Sequence, residues 1–424
     1  MSLRVAGRWA GAFFLAAFAA YGVGSALGGR PAGVALVVLN SVLVAAIGAL
    51  AFRALRRAHP AAAWTYLVAR GAEAFLLTAG IVLLHRVGAG AADVAYQLAM
   101  LALGLGSLPL CLALDRQRWL PRWLAGWGFA GYALLAVGAA AELMGAAVGV
   151  VLAVPGGLFE IAFALLLLAR GFAPSTAGRP AVDEARSTAT AGDRRPGRAA
   201  LGAGLGLLVM AALAGLANFG VLERLVATDP AQTTARLVAN QRALTLAVVA
   251  LFAVACLDVL VAWALRAFFV DTHRTVALLS AWCRTGYAIV FAVAIAQLIA
   301  VAGLLRDGPG SDRLGTLGPA RLTEFDEVWN LGLLLFGVHL LLVGWLAWRS
   351  RAVPTWVGVL VAIAGAGYLA DSIGALVPAG YPFPVATVTF VGEVVLMGWL
   401  LVFAARSRRE RPAASSPSST VQPV

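Results

Sequence analysis

The chain has 424 residues, 61% hydrophobic and 12% charged, with a mean hydropathy of +0.88, a balance that excludes a water-soluble globular domain and a disordered chain alike. All 32 basic residues are arginine against 20 acidic ones, and the net charge of +12 sits in polar connections between apolar runs, so it carries no nucleic-acid meaning. Cys111, Cys256 and Cys283 lie inside apolar runs with no CxxC and no His/Cys cluster, which argues against a disulfide framework, a zinc site or any metal centre.

A helix needs about 20 apolar residues to cross the hydrocarbon core, and twelve runs qualify. In chain order they are Trp9–Leu27, Val34–Leu55, Ala61–Leu84, Val94–Leu114, Trp123–Glu142, Ala146–Ala169, Leu201–Leu222, Ala243–Phe268, Val276–Leu305, Val328–Trp348, Trp356–Ala375 and Val385–Ala404. The first resembles a signal peptide, with Arg4 and Arg8 ahead of it, but Leu201–Leu222 opens the second half in the same way, so a retained span is expected. Residues 172–199 are rich in Pro, Gly, Ser, Thr and mixed charge and read as a flexible linker; residues 407–424 read as a disordered tail. Thr228-Asp229-Pro230 reads as the cap and first turn of a helix ahead of the eighth span. Arg306 to Glu327 is expected to be the longest loop on the outer side.

The expected fold is therefore an all-α integral membrane protein of about twelve transmembrane helices, in two units at residues 1–171 and 200–406. The termini and the loops after even-numbered spans hold 22 arginines, the opposite loops eight, which places both termini in the cytoplasm. His59 precedes Arg70 by eleven residues, as His273 precedes Arg284; Pro121 with Trp123 stands 39 residues before Glu160, as Pro354 with Trp356 stands before Glu393. Shared spacings in the same order on the same spans mark a duplication. An even number of spans makes it a parallel repeat of two six-helix units. Both Pro-x-Trp elements read as a helix start with an interfacial aromatic anchor.

The buried charges carry the functional question. At 1.5 Å per residue, Arg70, Arg284, Glu160 and Glu393 all lie roughly 15 to 20 Å from the cytoplasmic surface. A lone charge at mid-bilayer costs about 2.5–3.5 kcal/mol or more, so such groups face the bundle interior and pair. Arg70–Glu160 and Arg284–Glu393 are the expected pairs, with pairing across the repeats as the alternative. Glu73, one turn after Arg70, shares its face, where the second copy has Tyr287. Asp258, His339 and Asp371 complete the candidate intramembrane polar site. Each of these residues also has a plain reading as interhelical glue, worth about 0.6 kcal/mol on average. No HExxH, GxSxG, P-loop or dinucleotide fingerprint is present, so neither catalytic residues nor a cofactor are expected.

The stretch Phe336 to Pro378, with Asn240, Asp258 and the WCRTGY segment around Arg284, resembles a bacterial membrane-protein family known as domain of unknown function 4386. On that resemblance Leu201 to Arg406 is one whole six-span unit. Residues 4 to 170 form a diverged copy that keeps His59, Arg70, Pro121, Trp123 and Glu160 but lacks counterparts of Asp258 and Asp371. The resemblance implies a bacterial cytoplasmic-membrane protein with the lipid bilayer as its partner, and supplies no activity. Two expectations follow: a small-molecule or ion transporter with a midplane site between the repeats, or a non-transport sensor or assembly partner whose Arg/Glu pairs are structural.

Overall fold

A computed structural model describes residues 2–28, 30–172, 195–308, 311–375 and 385–409. Among them are twelve helices long and apolar enough to cross a membrane and no strand, the form in which every backbone N–H and C=O is satisfied inside lipid. They are α1 Leu3–Leu27, α2 Pro31–Leu55, α3 Pro60–Arg86, α4 Ala89–Arg116, α5 Arg122–Leu143, α6 Gly149–Arg170, α7 Pro196–Leu225, α8 Gln241–Phe269, α9 Arg274–Asp307, α10 Asp312–Arg349, α11 Thr355–Gly374 and α12 Ala386–Ser407. The protein is a multi-pass membrane protein.

Local chemistry sets the helix starts. Ser2 accepts from the Val5 N–H at 3.3 Å ahead of α1. Pro121 and Pro354 stand just before α5 and α11, with Trp123 and Trp356 exposed one residue inside. Asp229 accepts from the Ala231 N–H at 3.0 Å and starts the ten-residue helix Pro230–Ala239 before α8. His273 accepts from the Val276 N–H at 3.2 Å at the head of α9.

Two expectations are corrected. The segment from Arg306 to Glu327 is not a long loop: α9 runs to Asp307 and α10 begins at Asp312. Helices of 34 and 38 residues are roughly 50 and 57 Å long, more than the ~30 Å hydrocarbon core, so charged turns extend past the bilayer. There the charges pair, as where Arg321 Nη1 donates to Glu324 Oε2 at 2.6 Å and to Gln297 Oε1 at 2.9 Å. Helical structure also resumes at Arg195, ahead of the expected end of the linker at residue 199. Residues 173–194 of that linker and 410–424 of the tail lie outside the described residues.

By packing, the described residues form two bodies. One holds α1–α6 with Met210–Leu260 and Ala288–Leu331; the other holds α7 up to Val209 with Val261–Tyr287 and the residues from Gly332 onward. In the first body α1 to α6 form a closed ring, each packed on its neighbour in sequence and α6 on α1. Small residues permit the approach: a Cβ on Gly131 of α5 would sit 2.9 Å from the Gly156 Cα of α6. The end of α9 docks in this body on the start of α4. Arg306 pairs with Asp93 and donates to the Glu142 carbonyl at 2.7 Å; the Gly90 N–H donates to Asp307 Oδ1 at 3.0 Å.

In the second body Asp371 of α11 accepts the Val385 and Ala386 N–H groups at 2.8 and 2.7 Å. Its carboxylate thereby fixes the entry into α12.

Two predictions follow from this packing. Gly131→Leu should cost about 1–3 kcal/mol or more through overpacking, whereas Gly126→Leu on the same helix, with open space around it, should leave detergent unfolding unchanged. Outside the spans, His59 faces Gln117 Nε2 at 3.1 Å, and its pKa is lowered, by burial first and by the Arg116 charge second. A histidine whose folded pKa lies below its unfolded one binds fewer protons when folded, so stability is full above about pH 6.5 and falls as the pH drops below it. His59→Gln should flatten that acid limb in a series of melting curves.

Candidate intramembrane polar site

Inside the α1–α6 ring the Arg70 side chain is buried, 2% exposed, and every nitrogen of its guanidinium is engaged. Nε donates to Tyr66 Oη at 2.8 Å, Nη1 to Glu73 Oε2 at 2.9 Å and Nη2 to Glu160 Oε1 at 2.5 Å. Tyr66 and Glu73 lie one turn either side of Arg70 on α3, so the helix repeat alone puts them on its face. Glu160 comes from α6 and accepts a further hydrogen bond from Tyr132 of α5 at 2.8 Å. The Phe14 ring of α1 lies 5.0 Å from the guanidinium carbon, a cation–π contact that contributes more in a desolvated setting. One arginine thereby joins α1, α3, α5 and α6.

The cluster is not sealed. A cavity of about 310 Å³ is lined by Arg70, Glu73, Glu160, Tyr132, Asn40 and Tyr21 together with apolar side chains, all from α1–α6. Among the described residues Glu73 Oε1 and Glu160 Oε2 have no protein hydrogen-bond partner, nor does the side chain of Asn40, which is 4% exposed. Phe18, Val150 and Val154 line the cavity and are themselves exposed. The space therefore reaches the bundle surface between α1 and α6. A second cavity of about 190 Å³ shares Tyr21, Leu77 and Tyr96 with the first and extends past Gly28, Gly33 and His85. The Tyr21 and Tyr96 rings are stacked, centroids 5.9 Å apart, where the two cavities meet. Toward the chain-terminal end the ring is closed by packed aromatics, Phe159 stacked on Phe163 at 5.7 Å and Phe14 edge-on to Phe163 at 5.8 Å.

The second copy is arranged differently. Arg284 Nη1 donates to His339 Nε2 at 3.3 Å, and His339 Nδ1 lies 2.9 Å from both the Ser280 carbonyl and its hydroxyl. A guanidinium only donates, so Nε2 accepts, and the ring proton sits on Nδ1, directed at Ser280. Arg284 also lies over the Phe336 ring at 5.2 Å. Tyr368 of α11 lies within electrostatic reach of Glu393, Arg284 and Tyr287.

His339 stands 15 residues before Pro354; the residue 15 before Pro121 is Gly106. A Cβ on Gly106 would come within 2.3 Å of the Ala69 Cβ, so α4 closes on α3 in the first copy where the second inserts an imidazole. Asp258 is buried in α8, in the body that holds α1–α6. Of the eight candidate residues, Arg70, Glu73 and Glu160 are thus brought together, Arg284 meets His339, and Arg284 and Glu393 both lie within electrostatic reach of Tyr368. Asp371 is a backbone cap.

The tyrosines and Asn40 were missed as site residues, although signals existed. Tyr66 is four residues before Arg70, Tyr132 and Tyr368 precede the glutamates of their copies by 28 and 25 residues, and Asn40 and Ser41 are the only hydrogen-bonding side chains between Val34 and Leu50.

The family model for a domain of unknown function (DUF4386) matches residues 28–171 and again 202–404. The chain belongs to that family. It holds two tandem copies of the domain, one per six-helix unit. An uncharacterised protein of Archaeoglobus fulgidus is 29% identical over 170 residues, 89% of its own length and 40% of this chain, a relative about one unit long. No solved structure matches.

Breaking a buried ionic cluster by removing one partner costs about 3–5 kcal/mol, because it leaves uncompensated charge. Arg70→Met should show such a loss in reversible unfolding, and adding Glu73→Gln and Glu160→Gln should recover more than half of it. Strictly additive losses would show that the three side chains do not act as one unit.

Proposed function

We propose that the protein is a solute-binding membrane transporter of the bacterial cytoplasmic membrane, both termini cytoplasmic, whose site lies inside the first six-helix unit. The observation that carries this reading is the cavity that reaches Arg70, Glu73 and Glu160, because ionisable groups inside a membrane bundle ordinarily mark a solute or ion path when they meet such a space. Its support favours a site within the first copy over the site between repeats expected from the duplication. The arrangement is one of binding and passage; no bond-making chemistry is proposed.

The two cavities in series, parted by the Tyr21–Tyr96 stack, lead from the charged cluster toward the end of the bundle opposite the termini. The aromatic packing of Phe14, Phe159 and Phe163 closes the other direction. That asymmetry fits one state of an alternating-access cycle. The structural reading is favoured for the second copy, where Arg284, His339 and Ser280 satisfy one another. The first copy on this view carries the site and the second supports it.

In a background with Cys111, Cys256 and Cys283 replaced by serine, Val44→Cys on the cavity wall should react with a small water-soluble thiol reagent in intact membranes. Ala63→Cys, in the packed core, should react only after unfolding. Equal protection of both cysteines would remove the basis for a solute site.

A further inference from the structure

The cavity's chemistry points to a class of occupant. Its one cationic side chain is engaged at every nitrogen and paired with carboxylates: Arg70 donates to Tyr66, Glu73 and Glu160. What faces the cavity unengaged is acceptor-rich. Glu73 Oε1 and Glu160 Oε2 have no partner among the described residues, and the Asn40 amide, more than nine-tenths buried and lining the same space, has none either. Counted as charges, the cluster sets two carboxylates against one guanidinium. An anion entering here would meet a guanidinium already neutralised and two carboxylates beside it; a cation would meet the complement it needs.

The walls add to this. Tyr21, Tyr96, Phe14 and Phe18 line the cavity, and aromatic faces attract organic cations through the ring quadrupole. The rim between α1 and α6 is apolar, with exposed Phe18, Val150 and Val154. At about 310 Å³ the space is at the small end of ligand pockets. Resting on the solute-site reading above, we propose that the occupant is a small organic cation, its ammonium group held by the free oxygens of Glu73 and Glu160 with the Asn40 carbonyl, and its carbon portion against the aromatic wall. The same ammonium chemistry is available from a water-soluble amine and from a membrane-borne amphiphilic amine, which the apolar rim admits sideways.

The test uses the full chain in native membranes with Val44→Cys as the only cysteine. Two thiol reagents of similar size are compared, 2-(trimethylammonium)ethyl and 2-sulfonatoethyl methanethiosulfonate. The cationic reagent should react at least about tenfold faster, a difference of ~1.4 kcal/mol, and Glu73→Gln should bring the ratio toward one while Arg70 keeps Glu160. Butylammonium should protect the cysteine if the amine arrives from water, and dodecylammonium should protect at far lower concentration if it arrives from the membrane. Equal or faster reaction of the sulfonate overturns the cation assignment and leaves the solute site standing. A cation preference unchanged by Glu73→Gln overturns it too, by assigning the preference to the surroundings. Failure of both reagents to react removes the solute site itself.

Discussion

A guanidinium buried in an apolar helical ring is the constraint around which the first six-helix unit is organised. Hydrocarbon offers Arg70 no water, so protein must supply every acceptor. Tyr66 and Glu73 come from its own helix, Glu160 from α6, and Tyr132 orients Glu160 from α5. The partners are far apart in sequence, so satisfying the arginine fixes how α3, α5 and α6 face one another. Apolar packing in lipid gives little such specificity, because the lipid tails are as apolar as leucine. One carboxylate is enough to balance the charge of the guanidinium. The second carboxylate, with the cavity beside it, is the feature that structural cement leaves unexplained.

Duplication followed by divergence accounts for the contrast between the copies. Both retain an arginine on the third helix, a glutamate on the last and a tyrosine on the fifth within electrostatic reach of that glutamate. Around this shared frame the second copy has Tyr287 for Glu73, Ser280 for Tyr66 and His339 at the position of Gly106. These exchanges place an imidazole and a serine beside the arginine, and Arg284, His339 and Ser280 hydrogen-bond in sequence. Asp371 serves the backbone at the start of α12, as Glu142 of α5 does at the start of α6, where it accepts from the Gly149 N–H at 2.8 Å.

Much of the fold was legible in the sequence because lipid imposes a simple rule on composition. The twelve spans, the repeat and both Pro-x-Trp helix starts follow from apolar length and spacing. Segment 306–327 reads as a loop because its charges suggest solvent. Charged residues are good helix formers when they pair along a helix that leaves the bilayer, as Arg321 and Glu324 do. At the site, depth arguments brought Arg70 to the level of Glu160, since rise per residue is a property of the helix alone. The roles of His339, Asn40 and the tyrosine pair depend on which faces meet across helices, and a single sequence with faintly amphipathic spans does not encode that on any one helix.

The central claim is that water and a ligand reach the charged cluster of the first unit. Hydroxyl-radical footprinting in native membranes tests it most directly, because radicals made from water in place oxidise the side chains that water touches. Tyr21 and Tyr96 line the cavities, whereas Tyr66 is fully enclosed beside Arg70, 1% exposed and outside the cavity wall. The account predicts oxidation of Tyr21 and Tyr96 at rates well above that of Tyr66. Equal protection of all three tyrosines would contradict it and would return the Arg70 cluster to structural cement.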